Sequence, residues 1–125
     1  MAAAKDRLTP LELEIMNVLW ETGPAPVTEV QERLAKTHAL AYTTVQTMLN
    51  ILCRKGKLTR TLVDRAYRYK PKVTRRKAVG NALRDLVQRA FGGDAEALVM
   101  NLLETRQLSP DALKRLQKLA EDEDA

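Results

Sequence analysis

The chain has 125 residues, which is one domain, or a small head with an assembly tail. Apolar residues make up 45% and aromatic residues only 4%, so a core must rest on Leu, Val, Ile and Ala, as helical proteins commonly do. No apolar run nears the ~20 residues that span a bilayer, and one cysteine, Cys53, rules out an internal disulfide or a cysteine-rich metal site. The start, Met1-Ala2-Ala3-Ala4-Lys5-Asp6, carries no secretory stretch, so a cytoplasmic protein without membrane insertion is expected. The net charge of +5 is unevenly placed. Residues 1–53 hold four basic and six acidic side chains, and residues 78–125 hold six and nine, whereas residues 54–77 hold eleven basic side chains against Asp64 alone. A basic block between two mildly acidic ones is the footprint of a polyanion-binding surface. The alternative is a solvated basic face.

Taken in order, Thr9-Pro10-Leu11-Glu12 is a capping box with proline at the first helical position. Leu11, Ile15, Val18 and Leu19 then recur at helical spacing, Trp20 extends the stripe, and Gly23-Pro24 ends the helix. A second helix opens after Pro26, with Thr28 as its cap and Val30 and Leu34 pointing inward. His38-Ala39-Leu40 is a connector able to pair as a brief strand. A third helix runs from Tyr42-Thr43 to Lys55, closed by Gly56. At 100° per residue, Val45, Met48, Leu49 and Leu52 form a core stripe, while Thr43, Gln46, Thr47, Asn50 and Arg54 fill the opposite arc. That outer arc contains hydroxyls, amides and a guanidinium but no carboxylate. A helix face made only for water usually mixes Glu with Lys, so an acid-free face suits phosphates and base edges.

Two strand-like runs follow, 57–62 and 66–70, around a Val63-Asp64-Arg65 turn; the second alternates aromatic and basic residues, and Pro71 closes it. Three helices and then a basic hairpin is the order of a winged helix-turn-helix. Beyond residue 73, three short helices are capped by Thr74, Asp94 and Ser109-Pro110, with a break at Phe91-Gly92-Gly93. Their single apolar stripes include Leu83, Leu86, Val87, Leu98, Leu102, Leu103, Leu113 and Leu116, and one stripe per short helix cannot be buried without cover. A second copy of the tail would supply it; a tail folded back over the head is the alternative. Glu121–Asp124 reads as a frayed acidic end. The expected architecture is therefore mainly α with a small β-hairpin: a winged-helix DNA-binding domain over 1–73 and a helical dimerisation domain over 74–125.

Four stretches, in this order, resemble the BlaI/MecI/CopY-type penicillinase-repressor family: 8–16 leading to Val18-Leu19-Trp20; 41–49 (AYTTVQTML); Arg65-Ala66-Tyr67-Arg68-Tyr69; and Phe91-Gly92-Gly93. The resemblance covers about Leu8 to Leu119. It implies a winged-helix repressor that binds double-stranded operator DNA as a homodimer on a palindrome, controlling β-lactam resistance or related stress genes. It also implies inactivation by a membrane-anchored sensor metalloprotease, with cleavage in the tail at the position of Asn101-Leu102; the alternative is that Asn101 is merely a polar residue on an exposed helix. Family members often carry Met at the place of Gln46, Asp at that of Asn50 and Arg at that of Ile51, so the operator read here departs from theirs. The copper-responsive branch ends in a cysteine cluster that this tail lacks.

On the major groove, Gln and Asn pair with adenine and the Thr methyl meets the thymine methyl, which assigns Thr43, Gln46, Thr47 and Asn50 to base edges. Arg54, Lys55, Lys57, Arg60 and Arg65 are assigned to phosphates, where they fix register and give salt-dependent affinity. Tyr67 and Tyr69 are read as packing the wing onto the head, with DNA contact as the alternative. Thr44 is a capping or packing residue, and Ile51 meets a thymine methyl or another subunit. No Ser-His-Asp set, HExxH or glycine-rich phosphate loop is present, so neither enzyme chemistry, a cofactor nor a metal is expected. His38 and Cys53 alone do not make a metal site. Cys53 is read as structural, with a redox switch as the alternative. The competing function is a winged-helix protein-interaction module that reads no sequence; the acid-free arc argues against it.

Overall fold

The structure, a computed structural model, describes residues 7–124; the leader-free start read at Met1–Asp6 lies outside them. Helix α1 (Pro10–Thr22) begins with the expected capping box: the Thr9 hydroxyl accepts from the Glu12 amide and the Glu12 carboxylate accepts from the Thr9 amide. It ends at Gly23, whose φ of 77° favours glycine. Helix α2 (Val27–Leu34) starts one residue before the expected Thr28 cap. Its N-cap is Pro26, with no side-chain cap bond, and burial of Val27 fixes the entry instead.

Helix α3 (Tyr42–Arg54) closes on Lys55 and Gly56, with the Lys57 amide bonded to the Leu52 carbonyl and the Gly56 amide to that of Cys53. Strands β1 (Leu58–Val63) and β2 (Ala66–Pro71) pair antiparallel, with Leu58 opposite Pro71, Arg60 opposite Tyr69 and Leu62 opposite Tyr67. The turn is two residues long, Asp64-Arg65. Val63, expected in the turn, belongs to the strand. Both turn residues have positive φ, 49° and 69°, as a two-residue hairpin with the twist of its strands requires.

The connector 38–40 forms no strand. Gln31 Nε2 donates to the Leu40 carbonyl at 3.0 Å, and the third position of the sheet goes instead to Ala25, whose amide and carbonyl both bond Tyr69. The core comprises Ile15, Met16, Leu19, Ala25, Val27, Val30, Leu34, Val45, Leu49, Leu52, Leu58 and Tyr69, with Val18, Trp20, Met48 and Cys53 packed against it. Each fully buried Leu or Ile contributes roughly 1.5–3 kcal/mol, so the head carries its own stability.

Helix α4 (Arg75–Phe91) opens on Thr74, whose hydroxyl accepts from the Lys77 amide. It is fixed to α1 by three contacts: the Trp20 indole N–H on the Val73 carbonyl at 3.0 Å, Arg75 on Asn17 at 3.1 Å, and the Arg75 guanidinium 6.0 Å from the Trp20 ring centre. The chain divides into two compact units, Met1–Ala82 and Leu83–Ala125, with the division inside α4. In the second unit Asp94 caps α5 (Ala95–Glu104) and Ser109 caps α6 (Pro110–Asp124). The acidic end is not frayed: α6 runs through Glu121–Glu123 to Asp124, carried by the helix formers Leu119 and Ala120 that precede them.

One ion pair joins the two ends of the head's helical frame. Lys55, just past α3, places Nζ 2.8 and 3.0 Å from the two carboxylate oxygens of buried Glu12 and 3.1 Å from the Arg7 carbonyl. Burial alone would push the Glu12 carboxyl up; the Lys55 bond and charge and the two Thr9 bonds outweigh it and hold the carboxyl below its ordinary range. A carboxyl with a depressed folded pKa adds stability above its unfolded value, about 4.3, and that stability is lost as pH falls through the folded value. Lys55→Met is expected to destabilise the head by on the order of 2–3 kcal/mol, below the roughly 3–5 kcal/mol of a fully buried pair because Lys55 is partly solvated. Denaturant melts at pH 7 and pH 3.5 check this, the Lys55→Met penalty shrinking at the lower pH as Glu12 protonates.

Candidate nucleic-acid interface

The outer arc of α3 is open to solvent at Thr43, Thr44, Gln46, Thr47 and Arg54, while Val45, Leu49 and Leu52 are fully buried on the other side. Its N-cap residue, Ala41, makes no side-chain cap bond, so the first-turn amides have no cap from it. Ile51 is half-buried at the edge of the arc. Beside the helix stands the wing, with Arg60, Arg65, Arg68 and Lys70 exposed and Lys57 half-buried at its base. Helix α3 and β1 bound an open cleft of about 480 Å³ lined by Asn50, Cys53, Arg54 and Arg60.

Three residues assigned to DNA from the sequence, Lys55, Asn50 and Arg60, are engaged within the protein. Lys55 turns its ammonium to Glu12 rather than outward, a correction that periodicity could not supply because Glu12 lies 43 positions away. Asn50 is half-buried, and its Oδ1 accepts from Arg60 Nη1 at 3.0 Å and from the Tyr69 hydroxyl at 3.0 Å. Arg60 can only donate, so the amide oxygen must be the atom that faces it. A bidentate pairing with adenine needs that oxygen as an acceptor. Releasing it from a charged donor costs roughly 1.5–3 kcal/mol, against roughly 1–3 kcal/mol of base discrimination gained. The two nearly cancel, so Asn50 has little to gain from a base.

Tyr69 is buried, and burial pushes its hydroxyl pKa up, with Arg60 partly opposing the shift; the phenol stays protonated and donates. Tyr67 is 42% exposed and stacks under Arg60, whose guanidinium carbon lies 4.1 Å from the ring centre. The two tyrosines thus differ: Tyr69 packs the wing on the head, and Tyr67 supports an arginine. Burial also pushes the Cys53 thiol up, against the opposing charge of Arg60, which disfavours the reactive thiolate. His38 is exposed beside Glu14, 3.3 Å from its carboxylate, away from Cys53's helix end. Among the described residues no group of three or more His, Cys, Asp or Glu could hold a metal ion, and no helix is long and apolar enough to cross a membrane.

Sequence reasoning missed the Asn50–Arg60–Tyr69 cluster. Its only signal in the sequence was the register that sets Arg60 opposite Tyr69, which the hairpin length could have given.

Comparison with known proteins agrees with this geometry. A family model described as penicillinase repressor matches residues 8–122. The penicillinase repressor of Bacillus licheniformis is 29% identical over 116 residues, which is 93% of this chain and 91% of that protein. The transcriptional regulator BlaI of Mycobacterium tuberculosis is 37% identical over 112 residues, 87% of this chain and 81% of that protein. Among solved structures, the DNA-binding domain of the repressor BlaI superposes with a TM-score of 0.51 at 33% identity, over 56% of this chain and 85% of that domain. The head is a winged helix, and the chain belongs to the penicillinase repressor family, whose members are transcriptional repressors and not enzymes.

Proposed function

We propose that this chain is a sequence-specific repressor that binds a palindromic operator as a homodimer, with α3 in the major groove and the wing on the backbone. The observation that carries this reading is the exposed, acid-free arc of α3 standing beside a wing of exposed arginines. Thr43, Gln46 and Thr47 meet base edges; Arg54, Lys57, Arg60 and Arg65 meet phosphates. The reading draws support from the relatives named as repressors. Genes for β-lactam resistance or related stress are the regulated class that the family suggests.

The two groups of side chains act on different quantities. Gln46→Ala is expected to cost roughly 1–3 kcal/mol on the operator and to relax specificity at one base pair per half-site. Arg65→Ala weakens operator and random duplex alike and lowers the salt slope by about one. Titrations on both duplexes at several salt concentrations check this; equal loss on both for Gln46→Ala would remove it from the base-reading set.

The tail is the assembly element of this proposal. Among the described residues of α5 none is buried, and Leu83, Leu86 and Leu116 are about half exposed at 48%, 47% and 50%; Val87, Leu98, Leu102, Leu103 and Leu113 are only half-buried. A 1–73 fragment is expected to run as a monomer in light scattering and the full chain as a dimer at tens of micromolar. A monomeric full chain would sink the dimer.

The family's proteolytic switch, by a membrane-anchored sensor metalloprotease, would act here at Asn101-Leu102. Asn101 is exposed on α5, though its carbonyl accepts from the Thr105 amide and hydroxyl, so the turn must open before a protease can seat it. Cutting there would remove Leu102, Leu103, Leu113 and Leu116 from the dimer and leave the head intact. Mass spectrometry of the protein from induced cells should then find a fragment ending at Asn101; full-length chain alone, with the target genes on, would point to another trigger.

A further inference from the structure

Four side chains on three elements meet at the junction of helix and wing. Tyr69, buried on β2, donates to Asn50 on α3; Asn50 accepts from Arg60 on β1; and Arg60 lies over the ring of Tyr67 on β2. Both lone pairs of Asn50 Oδ1 are thereby used, while Arg60, which also bonds the Tyr69 hydroxyl, keeps N–H donors to spare. An exposed arginine ordinarily samples many rotamers and loses that freedom when it grips an anion. Arg60 has already lost it, held from one side by an amide oxygen and from the other by a ring. The remaining donors suffice for a bidentate grip on a phosphate.

We infer that Asn50 is a positioning residue: it reads no base and instead fixes Arg60 on a backbone phosphate, with Tyr69 fixing Asn50 in turn. This rests on the repressor reading, and it assigns to the relay the angle between the recognition helix and the wing. Such pre-ordering strengthens binding without adding a contact to the DNA. It acts equally on every sequence, because every sequence presents the same phosphate.

The test uses the full chain, a duplex selected by the wild type from a random pool, and a random duplex of equal length. Asn50→Ala is expected to weaken both by the same factor, on the order of five- to tenfold, and to have no further effect in an Arg60→Ala background. Tyr69→Phe removes only the hydroxyl, keeps the ring in the core, and should shift affinity in the same direction and with the same dependence on Arg60. Asn50→Asp keeps the acceptor and loses the amide donor, so the base preferences of the site should remain those of the wild type. Loss of preference at one base pair with random binding unchanged would overturn the inference, as would additivity of Asn50→Ala and Arg60→Ala. If the wild type enriches no sequence, the repressor reading fails instead, and the relay is still decided on random duplex by the same additivity test.

Discussion

The head depends on one side chain more than any other. Tyr69 exchanges two backbone hydrogen bonds with Ala25, buries its ring among Leu, Ile and Val side chains, and extends its hydroxyl to Asn50. The first contact ties the wing to the chain between α1 and α2, the second seats it on the core, and the third joins it to the helix that faces outward. A hairpin of two six-residue strands is marginal by itself in water. Here its base is anchored at Leu58 and Tyr69, and the rest of β1 and most of β2, out to Leu62, Val63 and Tyr67 at the tip, is exposed. The wing can therefore hold arginines at a set distance from α3 while its end stays free to follow a surface.

The basic block divides by geometry into cations used inside and cations presented outside. Lys55 neutralises Glu12, which is buried because the same carboxylate completes the capping box of α1. Arg75 is drawn to Asn17 and Trp20, where it fixes the start of α4. On α3's last turn and the wing the exposed cations are Arg54, Arg60, Arg65, Arg68 and Lys70, and Lys72, Arg76 and Lys77 stay exposed beyond the wing. Arg65 holds φ of 69° at a place that suits glycine, a conformation costing a non-glycine residue about 1–2 kcal/mol. A guanidinium at the tip of the wing offsets that cost only by what it binds. Arg106 sits in the same conformation past the end of α5, and nothing in the structure explains an arginine there.

Periodicity was enough to find every helix, since capping residues and apolar spacing are local signals: Thr9 with Glu12, Asp94, and Ser109 with Pro110 all cap as their types suggest. The basic hairpin was legible for the same reason. What was not legible lay in contacts between residues far apart in sequence. Lys55 looked like its neighbours Arg54 and Lys57 until Glu12 stood opposite, and Asn50 looked like Gln46 and Thr47 until Tyr69 closed on it. A helical projection sorts residues by angle, but Asn50 lies at the rim of the outer arc, where a neighbouring strand decides which side it serves. The third sheet position was lost in the same way: His38-Ala39-Leu40 had a strand-like setting, but one hydrogen bond from Gln31 occupied the Leu40 carbonyl.

The two units also differ in what their stability can rest on. In the first, ten large side chains are fully buried, so its fold rests on a core of its own. In the second, no described residue of α5 is buried, and Met100 and Leu119 are 54% and 61% exposed. Helices of ten to fifteen residues are marginal in water without tertiary cover. In the proposed dimer a tail of that kind holds its helices only as firmly as its partner holds them, and whatever weakens the partner also opens the turns of α5. Head and tail of that proposed dimer are coupled through mass action: two heads joined at one spacing would raise each other's effective concentration on a two-fold site, by a factor that vanishes when the tails part. In that proposal, assembly through the weaker unit places the sensitivity there, while the geometry proposed to meet DNA stays fixed by Tyr69 in the unit that has its own core.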